Sequence, residues 1–579
     1  MKKNIKTRFA AILTAGLLIF ASCADMLDTT DNAYLNTDNN RLNSANDSLY
    51  SVAGILKLLQ PLGERYILLG ELRGDLTETT ENADMDMQAI ADFTATAENP
   101  YLSKREYYAV INNCNYFLRR VDTTIISSGR KVMLGEYAAV KAIRAWTYLQ
   151  LGLNFGKAVW LTKPLLNIDD MNGDYAELQS ETLIDTLIAD ITPYLNTDFP
   201  SYGEIGNFSA SYLLIPVPVL LADLFLWQGA YTGNAFAYAR AAQLYYQWFT
   251  AQGRTFAPTL FRNTYATADF SSVSTSWQNM YAGLNAAEHV GVISYNPSFV
   301  ENPTVYQTAI WCFPSNNETY MIKPSQAAIH LWQNETYAFY RETQKDVLYV
   351  KGDLRGAHAN FQTGSYAYTP INDADSVPYI IKYGYYMPDG MGAVFFPSMI
   401  IYRTGLLCLR YAEALNALGK PSLAFAVLKY GMKPETLADA AKVSPDEINP
   451  LPPYCDFTNE RFSVPFNRGL HARGSGDAEY DTVYYAFTPQ ALSENRAYYG
   501  LPEKLETRQD SMAFVNVMIC KELALETAFE GNRFHDLMRL SKQHERLAGK
   551  GDFLAKWVGR RKPALESRLA AGNWIMIND

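Results

Sequence analysis

Glu522, Glu526 and Glu530 stand four residues apart near the carboxyl end of the chain. On a helix of 3.6 residues per turn they form one stripe that drifts about 40° per step. Paired carboxylates are the machinery of glycoside hydrolysis, one acting as acid and the other as base or nucleophile. Three aligned like charges also repel, so such a row persists where cations answer it. Arg533 and Arg539 follow just downstream, and Arg403 and Arg410 occupy another helical pattern. With Gly531 placed to cap the helix, a structural ion network is the favoured reading. Other catalytic patterns do not occur: there is no HExxH, GxSxG, GxGxxG or Walker A string. His289, His330, His358, His471, His535 and His544 are scattered without metal-ligand spacing. In Gly469 to Asp477 the glycines would let backbone amides approach an anion, but a plain flexible turn is the favoured reading. The loop Thr77 to Gln88 carries Glu78, Glu81, Asp84 and Asp86, an acidic face for cationic groups or calcium, with a solvated loop as the default. No enzymatic activity, cofactor or bound metal is expected.

The elements that must position these residues are mainly helical. The 579 residues are 48% hydrophobic and 19% charged, which excludes a disordered chain, and six Cys are too few for a disulfide scaffold. A formal charge of −10 has the wrong sign for a polyphosphate partner, so no nucleic acid is expected. Apolar residues recur at three and four over roughly Ser48 to Gln60, Ser103 to Val121, Gly135 to Asn154, Ser180 to Leu195, Ser209 to Gln228 and Ala235 to Thr250. Pro61, Gly156, Pro164, Pro200 and Gly229 to Gly233 punctuate them as stops. Helices resume at Ser398 to Leu418, Pro421 to Gly431 and Asp510 to Phe529. Between about Phe256 and Pro397 lies an irregular, aromatic-rich insertion with short β-like runs at His289 to Tyr295 and Val377 to Tyr386. The expected fold is tetratricopeptide-like helical hairpins with long irregular loops. A single domain should span 47–579, with helical repeats at about 47–255 and 398–545 and a loop-rich ligand region at about 256–397.

Lys2, Lys3, Lys6 and Arg8 precede an apolar run from Phe9 to Phe20, and Ala21 and Ser22 lead to Cys23. This is the plan of a secretory signal peptide, residues 1–22, whose apolar run of about a dozen residues is too short for the ~20 of a spanning helix. Cys23 after small residues resembles the lipobox of bacterial lipoproteins, in which that Cys is lipidated, and 23–46 reads as a polar tether. Cys114, Cys408 and Cys520 fall inside apolar helical patterns, where Cys behaves as a small buried hydrophobe, so no essential disulfide is expected.

The segment from Ile519 to Arg539 resembles the carboxyl-terminal signature of the SusD/RagB family, surface lipoproteins of Bacteroidetes that cover TonB-dependent transporters. Three stretches agree in order: Glu136, Lys141, Arg144 to Trp146, Tyr148, Leu151 and Phe155-Gly156; Asp353 to Arg355 with Lys382-Tyr383; and Tyr402-Arg403 with Arg410 to Asn416 and Gly419. The resemblance implies that Glu522, Glu526, Arg533 and Arg410 hold the fold together. It implies a glycan-capturing lipoprotein of the outer membrane, facing outward, with a SusC-like TonB-dependent transporter as partner. The alternative is a RagB-type lid that captures oligopeptides.

Sugar rings expose apolar C–H faces and hydroxyl edges, which planar aromatics beside polar side chains hold well. The chain has 40 Tyr, 28 Phe and 9 Trp, and the partly polar Tyr and Trp suit such a surface. Family resemblance places ligand sites on loops after the first helices and in the long insertion, here Leu72 to Asp75 and Trp277 to Trp332. The expected ligand-binding residues are Arg73, Asp75, Trp277, Tyr281, Tyr295, Tyr306, Trp311 and Tyr320.

Overall fold

Apolar residues at helical spacing pair successive helices into hairpins along most of the chain. A computed structural model describes residues 45–127, 129–131, 133–200, 204–205, 208–251, 280–281, 288–295, 321–341, 343–356, 361–364, 377–380, 382, 384–386, 393–395, 398–463, 467–476, 479–480, 504–572 and 574–575. The expected signal peptide and Cys23 lie outside them. Helix α1 (Ala45–Glu71) continues through Pro61, where the sequence predicts a stop. Proline removes a hydrogen bond and crowds the preceding turn. Tertiary packing overrides this: Leu59, Leu62, Leu68 and Leu69 are buried, and the Gln60 carbonyl accepts the Tyr295 hydroxyl at 2.7 Å.

Strand β1 (Thr77–Thr79) and helix α2 (Met85–Ala91) follow, then the hairpin α3 (Arg105–Arg120) and α4 (Leu134–Phe155). Gly156 ends α4 at φ 76°, a left-handed conformation that favours glycine. Strands β2 (Lys157–Val159) and β3 (Glu177–Gln179) pair antiparallel, with the one-turn helix α5 (Ile168–Met171) between them. Helix α6 (Ser180–Ile191) packs on α4 and on α7 (Val217–Thr232), which packs on α8 (Ala235–Thr250). The segment Ser211–Thr232 is long and apolar enough to cross a membrane, but 83% of its apolar window is buried, as in the core helix of a folded body.

Strand β4 (His289–Ser294) comes next, followed by β5 (Ile322–Pro324), which pairs with β1. Helix α9 (Gln326–Gln333) leads into the antiparallel hairpin β6 (Thr336–Arg341) and β7 (Asp346–Lys351). Strand β8 (Ser398–Arg403) pairs with β4 from Ser398 opposite Ser294 to Arg403 opposite His289, so a strand of the insertion is zipped to the residues that follow its end. The sequence predicts helix from Ser398. The run Met-Ile-Ile-Tyr is instead fully buried strand, because β-branched residues suit a ladder whose partner is distant in sequence.

The helical frame resumes with α10 (Thr404–Ala417), α11 (Pro421–Lys429), the short α12 (Ala472–Ser475), α13 (Arg508–Thr527) and α14 (Arg533–Ala548). Two further helices, α15 (Phe553–Gly559) and α16 (Ala564–Ala570), extend it beyond the expected limit near 545. Thr507 and Asp510 form a reciprocal capping box at the start of α13. Cys114, Cys408, Cys455 and Cys520 are buried free thiols.

Candidate functional site

The carboxylate stripe is buried. Glu522 and Glu526 project from α13, whereas Glu530 lies past its end, in the turn where Phe529 takes φ 67° and Gly531 φ 86°. The helix thus ends at Ala528 before Gly531 is reached. Arg355 reaches Glu522 at 2.6 Å and Glu526 at 3.0 Å, with Asp353 on its other side at 2.7 Å. Arg403 spans Glu526 at 2.7 Å and Glu530 at 2.8 Å, and the Lys382 ammonium meets Glu530 at 2.5 Å. Arg473 bridges Glu526 to Glu288, and the His471 ring lies 2.8 Å from Glu522.

Burial alone would raise the carboxyl pKa values, but the neighbouring guanidiniums prevail. Glu522 is held down at about 2 by Arg355 and His471 against its desolvation. Glu526 and Glu530 are likewise held low. A general acid must carry a proton near neutral pH and reach substrate, and these groups do neither. The arrangement is a structural ion cluster.

Of the four cations expected to answer the stripe, only Arg403 does. Arg533 reaches back to Asp75 at 2.5 Å, Arg410 to Asp223 at 2.8 Å, and Arg539 to Glu413 at 2.8 Å. These pairs fasten the start of α14 to the loop after α1, α10 to α7, and α14 to α10. His471 and Arg473 lie in the stretch read as a flexible turn, which is instead buried from Gly469 to Gly476. Its glycines permit close packing: a Cβ on Gly474 would fall 1.8 Å from Asp353 Oδ1, and one on Gly469 2.1 Å from the Leu428 carbonyl oxygen. Three glycines flanking an Arg and a His were the available signal.

Four expected ligand residues belong to this frame. Arg73 is fully buried, donates to the Leu69 carbonyl at 2.7 Å and to Asn154, and lies 4.2 Å over the Phe534 ring. Asp75 is consumed by Arg533. The buried Tyr281 donates to Glu530 at 2.7 Å, and the buried Tyr295 to Gln60. None of the four faces solvent, so their assignment to ligand contact is corrected to support of the fold. Trp277, Tyr306, Trp311 and Tyr320 lie outside the described residues. The acidic loop is largely ordered structure: Thr77 to Thr79 form β1, Glu78 faces Lys323 at 3.8 Å, and Asp84 caps α2. Among the described residues no group of three His, Cys, Asp or Glu could hold a metal.

The hairpin of β6 and β7 carries an aromatic surface that sequence reasoning missed. Tyr349 stands opposite Ala338 and Tyr340 opposite Val347, and side chains two residues apart share a face. Both tyrosines therefore lie on one side. Tyr340 stacks on Tyr480 with centroids 5.6 Å apart and planes 18° apart. Tyr349 is 50% exposed and donates to the Tyr480 carbonyl at 3.1 Å. At the far end Arg341 grips Asp346, with Nε at 2.7 Å. At the root, Tyr337 and Ala338 are buried, Ala338 bridges to Gly476, and Asp353 enters the ion cluster two residues after β7. The buried charges thus anchor a hairpin that presents rings to water.

The sequence matches no protein-family model and no curated protein. Solved structures do match. A SusD superfamily protein from Bacteroides vulgatus ATCC 8482 aligns with TM-score 0.58 at 14% identity, over 92% of this chain and 94% of its own. This chain has the SusD fold. NanU of B. fragilis aligns over 93% of this SusD-like chain and 97% of its own, at 17% identity and TM-score 0.51. A B. vulgatus protein described as a candidate sugar-binding protein covers 86% of this chain and 88% of its own, at 15% identity and TM-score 0.51. The mainly helical, SusD-like architecture expected from sequence is the one observed, and Glu522, Glu526, Arg410 and Arg533 are buried ion-pair residues within it.

Proposed function

We propose that this SusD-like protein captures glycan at the cell surface and passes it to a TonB-dependent outer-membrane transporter, moored by lipid on Cys23. The observation that carries the reading is the solvent-facing tyrosine surface of the hairpin, with Tyr349 half exposed and Tyr340 and Tyr480 stacked beside it. Aromatic faces pack against the C–H faces of sugar rings, and their hydroxyls serve the polar edges. The stacking of Tyr340 on Tyr480 holds these rings in place before ligand arrives, which lowers the ordering cost of binding. The likeness to a candidate sugar-binding protein supports the same reading. Release to a transporter asks for modest affinity, and a lipid tether keeps the two proteins at high effective concentration.

Calorimetry with a panel of soluble polysaccharides tests this on protein lacking the lipid. Tyr349→Ala should weaken binding roughly 2- to 10-fold, the equivalent of about 0.5–1.5 kcal/mol for one aromatic contact. Unchanged affinity in Tyr349→Ala and Tyr340→Ala would remove the hairpin as the site. Peptides co-purifying with the membrane protein, with no polysaccharide bound, would replace glycan by oligopeptide as the cargo.

A further inference from the structure

A second exposed feature, remote from the ion cluster, stands between β2 and β3. Leu166, Ile168 and Met171 are 59%, 75% and 68% exposed, three large apolar side chains within six residues. Exposed apolar residues scattered singly are ordinary, but a cluster of this kind marks a contact surface. The segment is also held fixed. Asn167 Oδ1 accepts from the Asp170 amide at 2.9 Å, while Asp170 Oδ2 accepts from the amides of Leu166 at 2.7 Å and Asn167 at 3.2 Å. The Tyr175 hydroxyl donates to the Asp170 carbonyl at 2.5 Å. Asn112 on α3 clamps Leu165 from both sides, accepting from its amide at 2.6 Å and donating to its carbonyl at 3.0 Å. A knuckle ordered by folding loses little entropy on docking, which is what a contact anchor needs.

The charge around the knuckle selects the occupant. Asp169 and Asp174 are exposed beside the apolar trio, Lys163 is exposed just ahead of it, and Glu177 at its base is balanced by Lys157 at 3.2 Å, so the knuckle itself is acidic. Anionic lipid attracts cations, so an acidic knuckle is repelled from such a surface. Two copies would set acidic rim against acidic rim, which like charge disfavours. We infer that residues 165–174 form a docking knuckle for a protein partner whose surface offers an apolar depression bordered by Lys or Arg. This inference does not depend on what the tyrosine hairpin binds.

The test places a photo-crosslinking amino acid at Ile168 of the full-length protein in its own outer membrane. The control position is Ile126, 66% exposed between α3 and α4, at the opposite end of α4. The expected result is one adduct of defined mass from Ile168 and none from Ile126, with the captured peptide showing apolar residues flanked by Lys or Arg. Asp169→Lys with Asp174→Lys should cut adduct yield at least about tenfold, the scale of losing a contact anchor. Glycan binding should be unchanged in that double variant, and Tyr349→Ala should leave the adduct intact, so failure here is separable from failure of the glycan reading. Equal adducts at both positions, an adduct with a second copy or with lipid, or a captured peptide without basic residues would overturn the proposal.

Discussion

Glu71→Gln should make the protein less sensitive to rising pH. Glu71 ends α1 and is buried, and one carboxylate oxygen accepts the Gly531 amide at 2.8 Å. Burial pushes its pKa from the ordinary 4.5 up to about 7, against the pull of the Gly531 and Phe529 amides, Lys382 and Arg533. The folded state therefore holds this proton more tightly than the unfolded chain. The resulting stabilisation is complete below pH 4.5 and is lost as pH rises through about 7. The gap corresponds to roughly 3 kcal/mol. Glutamine keeps the acceptor for Gly531 and cannot ionise, so the variant should gain about 3 kcal/mol relative to the parent between roughly pH 4.5 and pH 8. His289 and His544, both lowered to about 4 by burial, give the opposite slope between about 4 and 6.5, but equally in both proteins, so they cancel in the difference. Urea midpoints of the lipid-free protein across this range provide the assay. Parallel pH profiles for parent and variant would refute the reasoning.

Arg473→Met should destabilise by about 3–5 kcal/mol, because it strips a partner from the buried carboxylates Glu288 and Glu526; denaturant midpoints would show it. Gly474→Ala should fail to give folded protein, since its Cβ would meet Asp353 Oδ1 at 1.8 Å, as circular dichroism would report. Gly54→Ala, with nothing within 4 Å, should instead stabilise α1 by up to about 1 kcal/mol, visible as a higher melting temperature. Thr507→Ala should cost about 1 kcal/mol by removing the side chain that caps α13, read from the same midpoints.

Local pattern carried the helical frame well. Ala235 to Thr250 has the bounds expected from its periodicity, with Asn234 accepting from the Phe236 amide at its start. Local pattern does not carry elements whose conformation a distant partner decides. Ser398 to Arg403 has the composition of either element, and only its pairing with β4 makes it strand. The Glu522, Glu526 and Glu530 stripe was visible as a four-residue repeat. Arg355, Lys382 and Arg473 could not be assigned to it, because spacing says nothing about cations delivered from other segments. Their residue type places Tyr281 and Tyr295 among ligand contacts because tyrosine suits wet surfaces, yet the same hydroxyl lets tyrosine finish a buried hydrogen bond. Tyr340, Tyr349 and Tyr480 became a surface only when the register of β6 and β7 fixed which side chains share a face.

The counter-ions of the carboxylate stripe come from chain positions 355, 382, 403 and 473, and two of these, Arg355 and Lys382, belong to the long insertion. That insertion is consequently no detachable module. Excising it to obtain a minimal helical core would take Arg355 from Glu522 and Lys382 from Glu530 in a dry interior, so the loops and the scaffold must be inherited, engineered and expressed as one piece.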